Sequence, residues 1–345
     1  MKKIPHLVSC TVTGAFCAAL MCPNGAYAGH PGYRMYDIIK LGGEGGWDNL
    51  NLDPASSNLF ITRGTHVMVF DPISKKVVAD IAGLNGVHAT AFADGRAFIT
   101  EGGSNKLAVV DTSRFTVLSE IPVGKRPEDI LYDPFSRRVF TFNVDSNDTT
   151  VVDVLSGKAI GTVALGGKPR TAVSDGTGMI FVNIEDKNEL VAFDTVSLSI
   201  KARYSLGPCE SPSGIAADVA HGRIFSGCKN KMVAVTDART GKIVTTFSVG
   251  EGTSTNRFDP STGLVFSANG KSGTLTVAIE DSPNNYMVMQ NVLTDHGAGA
   301  MELDPKTHIA YLIAADLKPG ISTVDNPNPQ PVTVPGTFRL LIVRR

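Results

Sequence analysis

A turn signature recurs along this chain with a period of about forty residues. An Asp, most often followed by Pro or Gly, stands at Asp53, Asp94, Asp133, Asp175, Asp218, Asp259 and Asp304, in steps of 39 to 45 residues. A second signature, an apolar run ending in an acid, closes at Asp71, Asp111, Asp153, Asp194, Asp237 and Glu280, in steps of 40 to 43. Two independent markers with one period mean a repeat architecture, in which each unit buries its apolar faces on its neighbours. In the third unit, residues 129–132, 138–143, 149–153 and 158–165 read as short strands, rich in Val, Ile, Phe and Thr and bounded by turn residues. No segment carries a helical period. A unit of this length with four antiparallel strands is a propeller blade, and the markers count seven. The expected fold is all-β: a seven-bladed β-propeller.

The ends imply how such a ring closes. Residues 33–41 read as a fourth strand with no complete unit before them, because Tyr36 to Gly43 parallels Ile160 to Gly167. The last unit offers strands at 300–303 and 308–313, a Pro-rich insert at 318–335, and a strand at 338–343. The N-terminal strand is therefore expected to complete the last blade as its outermost strand, which removes a free edge. The insert reads as a partner-docking arm or a loop.

Residues 1–28 read as an export leader. Lys2 and Lys3 precede an apolar run at 7–21, and Ala26-Tyr27-Ala28 forms a cleavage signature, so Gly29 is the expected first mature residue. The apolar run is too short to span a membrane. The expectation is a single domain, 29–345, soluble, monomeric and periplasmic. The formal charge is −1, and losing Lys2 and Lys3 makes the remainder more acidic, which argues against nucleic acid or an anionic membrane as partner. Cys10, Cys17 and Cys22 lie in the leader, leaving Cys209 and Cys228. Cys209 precedes the first strand of the fifth unit and Cys228 ends its second. Antiparallel pairing sets the start of one beside the end of the other, so a disulfide is expected over two reduced, buried thiols.

In a four-stranded meander, the loops before the first strand and after the second share one face. His66, His88 and His296 map to that face on three neighbouring units, with Glu101, Asp48, Glu44 and Asp295 nearby. His66, His88, Glu101 and His296 are the candidate ligands of a divalent metal, the only cofactor considered, or groups for acid–base work. Against this stands the ordinary reading of loop histidines as polar residues, with no H-x-H or H-E-x-x-H spacing. His30 lies in the N-terminal tail, and His221 and His308 fall in turns of the other face, where they are expected to be solvated. Trp47 and His88 align with Pro127, Pro169 and Pro212, so two units set a ring at the channel mouth. A Trp there either stacks on a ligand or plugs the channel. Arg126, Arg170 and Arg257 either clamp an anion or pair with Glu128, Asp129 and Glu251. The candidate ligand-binding set is Trp47, Asp48, His88, Arg126, Glu128, Arg170 and Arg257. There is no G-x-S-x-G elbow, P-loop or haem-attachment motif.

The segments Pro122-Val123-Gly124-Lys125-Arg126-Pro127 and Leu165-Gly166-Gly167-Lys168-Pro169 carry a resemblance. So do the Asp-Pro turns and the strand ends Phe181-Val182-Asn183 and Val139-Phe140-Thr141-Phe142-Asn143. In these the chain resembles the YVTN-repeat family, the YncE-like exported seven-bladed propellers, over nearly all of 29–345. The resemblance implies a non-catalytic binding or scaffold role in the periplasm, toward a small molecule, a peptide or an envelope protein. DNA binding, found in at least one member type, is at odds with the acidic balance here. The alternative reading is a metal-assisted lactonase or lyase acting on the same face. Fold alone does not choose between them.

Overall fold

The computed structural model describes residues 32–320 and 331–345. The expected leader lies outside these residues, as does 321–330 of the Pro-rich insert. The described residues form strands and no helix. Five sheets are four-stranded and antiparallel, and four of them are ordered as in sequence. The first strands of these four are Pro127–Asp133, Pro169–Ser174, Pro212–Asp218 and Thr253–Asp259.

The two sequence markers have physical causes. At the turn after the first strand, in five of the seven units, the Asp carboxylate accepts a nearby hydroxyl. Ser56 donates to Asp53, Ser136 to Asp133, Thr177 to Asp175, Ser261 to Asp259 and Thr307 to Asp304. At the turn after the third strand, in five units, the acid accepts backbone N–H groups of the same turn: Ile73 to Asp71, Ser113 to Asp111, Ser156 to Asp153, Ser197 to Asp194 and Thr240 to Asp237. Asp suits both places because its short side chain bonds backbone two or three residues on.

The middle strands are buried on both faces, which explains their unbroken apolar runs. Arg138–Asn143 and Asp148–Asp153 each bury at least four residues in succession. Outer strands are more exposed, and Arg34–Lys40 and Ile200–Ser205 alternate along their whole length. The core is a series of apolar layers between neighbouring sheets. Phe266 and Leu275 meet Leu312 and Leu341 in one layer, and Leu59 and Phe70 meet Ile313 and Leu340 in the next.

One sheet departs from the four-strand expectation. Strand Lys76–Ala93 runs for 18 residues. Its first half pairs with Gly64–Asp71 and its second half with Arg96–Glu101, so two units share one seven-stranded sheet. Gly83 and Gly86 both take positive φ at the changeover, while the pair Gly64 and Val87 keeps the ladder continuous.

The first strands also touch one another in a circuit. Leu50–Leu52 contacts Lys76–Ala93, and contacts then pass through Pro127–Asp133, Pro169–Ser174, Pro212–Asp218 and Thr253–Asp259 to Met301–Asp304 and back to Leu50–Leu52. The chain ends meet as the sequence implies. Arg34–Lys40 pairs antiparallel with Arg339–Arg344, outermost in a sheet that continues through Ile309–Ala314 to Met301–Asp304. Leu317–Lys318 and Val332–Thr333 pair as a short ribbon flanking the insert. Cys209 and Cys228 are joined, with Cα atoms 5.4 Å apart beside the pair of Pro212 and Cys228. No helix among the described residues is long and apolar enough to cross a membrane.

Candidate functional site at the channel mouth

The first strands line a channel. A cavity of about 220 Å³ at its mouth is walled by Trp47, Asp48, Glu128, Asp129, Arg170 and Ser254, among others. A second, of about 460 Å³, shares Asn49, Asp129, Thr171 and Thr255 with the first. The two are successive levels of one channel.

Charges at the mouth are arranged in pairs. Glu128 receives Arg126 Nη2 at 2.6 Å and Arg170 Nη1 on its other oxygen. Arg170 Nε also stands 3.7 Å from Glu185, which pairs with Lys229. Arg126 is held at φ 53°, in the left-handed region, with its N–H donated to Asn105. Arg257 makes a two-pronged contact with Glu302, at 3.0 and 3.1 Å. Burial opposes the Arg257 charge most strongly of any single influence, but Glu302, through its charge and hydrogen bonds, together with Asp129 holds the guanidinium above its ordinary value. Asp129 lies within reach of these charges. Burial pushes its carboxyl up to about 7, against hydrogen bonds from Ile130 and Ala172 and the attraction of Arg257.

The ring-bearing positions differ in role. Trp47 leans on Phe338, with centroids 5.7 Å apart, and its half-buried edge faces the cavity. A side chain at Gly297, where φ is +87°, would meet the Trp47 ring within 3.4 Å. His88 Nδ1 pairs with the Asp48 carboxylate. The His88 ring lies so close to Gly102 that a Cβ there would collide with it. Trp47, Asp48, Glu128 and Arg170 are thus brought together at the cavity. His88 reaches it through Asp48, and Arg126 through Glu128. Arg257 belongs to the deeper level.

The proposed metal ligands are not gathered. His66 Nε2 is 4.0 Å from Asp80, His296 Nδ1 is 2.8 Å from the Lys271 carbonyl, and buried Glu101 accepts the Asn85 N–H at 2.8 Å. With His88 on Asp48, each of the four has a separate partner. Asp295 pairs with Arg339, and Glu251 with Lys231 and Lys271 rather than with an arginine. His221 and His308 are not merely solvated: their Nδ1 atoms contact Asp218 at 2.5 Å and Asp259 at 2.7 Å. His30 lies outside the described residues.

Two features escaped the pattern reading. Glu302 is the partner of Arg257, although both precede their marker Asp by two residues. Glu128 and Arg170 likewise share a register, five residues before theirs, so aligning the repeats by charge predicts both pairs. Arg63 is the second. It is 1% exposed, and its guanidinium donates to the carbonyls of Gly42, Glu44, Gly45 and Gly46 while stacking on Phe338 at 3.8 Å. The glycine-rich loop beside Trp47 is therefore pinned from below.

No family model matches the chain, and no curated protein matches it. Solved structures do. A chain of Kuenenia stuttgartiensis hydrazine synthase aligns with a TM-score of 0.69 at 15% identity, covering 78% of this chain and 92% of its own. A chain of a mitotic checkpoint complex aligns with a TM-score of 0.74 at 13% identity, covering 98% and 99%. Both are propeller-type folds, so the all-β propeller-type architecture is shared, at identities that speak for fold alone.

Proposed function

We propose that this chain is an exported, seven-bladed propeller of the YVTN-repeat kind that binds a polar, peptide-like ligand at its channel mouth without catalysis. The circuit of first strands supports seven blades, with the strand Lys76–Ala93 serving two of them. The leader-like residues 1–28 support export to the periplasm. The similarity to a chain titled as part of a complex supports a protein-binding scaffold as the general class.

One observation carries the ligand reading. A cavity of about 220 Å³ sets an aromatic edge, Trp47, beside the carboxylates of Asp48, Glu128 and Asp129 and the guanidinium of Arg170. A peptide backbone or terminus offers N–H donors, carbonyls and an apolar side chain to such a wall. The lactonase or lyase alternative needs His66, His88, Glu101 and His296 at one point, and no observation favours it.

Trp47 is the sole tryptophan, so its fluorescence reports on the mouth directly. Titration with short peptides of defined charge is expected to shift its emission saturably, and E128Q with R170Q to weaken binding at least tenfold. Saturable binding, measured by calorimetry, that survives unchanged in W47A and in E128Q/R170Q places the ligand elsewhere and overturns this reading. So does the absence of binding by every peptide in the set.

A further inference from the structure

We propose that Asp218, His221 and Glu280 form a binding site for one divalent transition-metal cation of the zinc class. The site lies at the far end of strand Pro212–Asp218 from the mouth residue Ser213, about five residues or roughly 17 Å along the strand. It goes beyond the ligand reading above and does not depend on it.

Geometry is the first support. One ligand atom from each side chain lies within 4.8 Å of the other two. His221 Nδ1 stands 2.5 Å from Asp218 Oδ2 and 3.7 Å from Glu280 Oε1. Ligands held at about 2.0–2.2 Å around a tetrahedral zinc stand roughly 3.3–3.5 Å apart, so small rotations of the imidazole and carboxylates suffice. Two carboxylates and one imidazole suit a borderline cation and leave a fourth position for water.

The second support is independent, and lies in how the repeat is broken. At the turn after the first strand, five other units place a serine or threonine hydroxyl on the marker Asp, and the Asp94 turn is paired with Arg137 instead. Here His221 takes that place. At the turn after the third strand, other units place an Asp that accepts its own turn's N–H groups. Here the acid is Glu280, one methylene longer, and it reaches the neighbouring sheet instead. Two departures in adjacent units converge on one point and exchange turn-capping groups for metal-ligating ones.

The surroundings fit a cation. The Asp218 and Glu280 side chains are 2% and 6% exposed, whereas His221 is 53% exposed, so the carboxylates are fixed and the approach is open. Tyr286 donates its hydroxyl to Glu280 Oε1 at 3.1 Å and orients it. The nearby cation is already engaged: Arg223 donates to Asp237, to the Pro283 carbonyl and to Asn284. Two buried carboxylates then share a single imidazole, and a divalent ion supplies the missing positive charge.

The test is calorimetric titration of the full chain with Zn²⁺ near neutral pH, beside H221S and E280Q. H221S restores the hydroxyl that the other turns use, and E280Q keeps the side-chain shape, so each is expected to melt cooperatively; if one fails to fold, the other decides. H308S, at the other His–Asp turn pair, is the control. The expected result is one equivalent of Zn²⁺ bound, weakened at least tenfold in H221S and E280Q but not in H308S. Zn²⁺ should also raise the melting temperature of the unmutated chain and not that of H221S. Absence of binding at 0.1 mM Zn²⁺, or equal affinity in all variants, overturns the proposal.

Discussion

Asp129 sits in the channel wall within the fields of Arg257 and Asp48, and burial sets its carboxyl at about 7. In the unfolded chain the same group titrates near its ordinary value, roughly 3.9. Between those values the folded state holds the extra proton, so stability falls as pH rises, and the loss is complete once pH passes the folded value. With channel solvent allowed for, the decline from pH 5 to pH 8.5 is on the order of 1–3 kcal/mol. D129N should lack it, which urea midpoints at the two pH values will show; a parallel decline in D129N would mean that another group is responsible. Arg63 makes a second prediction. R63M strands four loop carbonyls and is expected to cost roughly 2–4 kcal/mol, read by thermal melting. Both residues also mark what sequence discloses. Trp47 was legible because it replaces a repeat proline, and so was the pairing of Glu128 with Arg126 and Arg170, whereas Glu302 as the partner of Arg257 was missed although its register was there to read. Arg63 was not, because its burial depends on backbone carbonyls of a glycine loop, and those leave no trace in side-chain pattern.

Single strands and turns account for most of what could be read in advance. The Asp markers work because a carboxylate two or three residues from a backbone N–H makes the turn itself, so the chemistry that spaces the repeat is local. The fusion of two units through Lys76–Ala93 was hidden for the same reason. Gly83-Leu84-Asn85-Gly86 looks like a turn, and only the partner strand at Gly64–Asp71 carries the ladder across it. The disulfide belongs to this scale as well. It closes a loop with a sequence separation of 19 at the entry of strand Pro212–Asp218. C209S/C228S is expected to lose about 3 kcal/mol. The check is chemical denaturation against the oxidised chain; an unchanged midpoint would show that the native ladder already holds this entry.

The chain ends decide the integrity of the whole. Arg34–Lys40 covers the edge of Arg339–Arg344, and Ile39 and Leu41 pack against the apolar layer around Leu340 and Ile342. Removing residues 32–41 is expected to abolish the cooperative melt or to drive association, measured by light scattering coupled to size exclusion. A monomer with an unchanged melting temperature would mean that the closing strand is dispensable. The closure was legible because the first strand had no unit of its own. The metal candidates were not resolvable from the repeat, since sharing a face does not bring side chains from different units to one point.

That pairing of first strand with last has a consequence in time. Arg34–Lys40 precedes its partner Arg339–Arg344 by about 300 residues, so it emerges well before that partner, from the ribosome or from an export channel. At about 5–20 residues per second, the first strand waits roughly 15–60 seconds for the other. Throughout that wait it presents unpaired backbone, guarded by the charges of Arg34 and Lys40. Its own C-terminal segment then competes with every other open strand nearby. When many chains are made at once, closure by a neighbour's first strand is the expected error, and size exclusion of protein made at rising expression levels should then show a growing share of exchanged dimers.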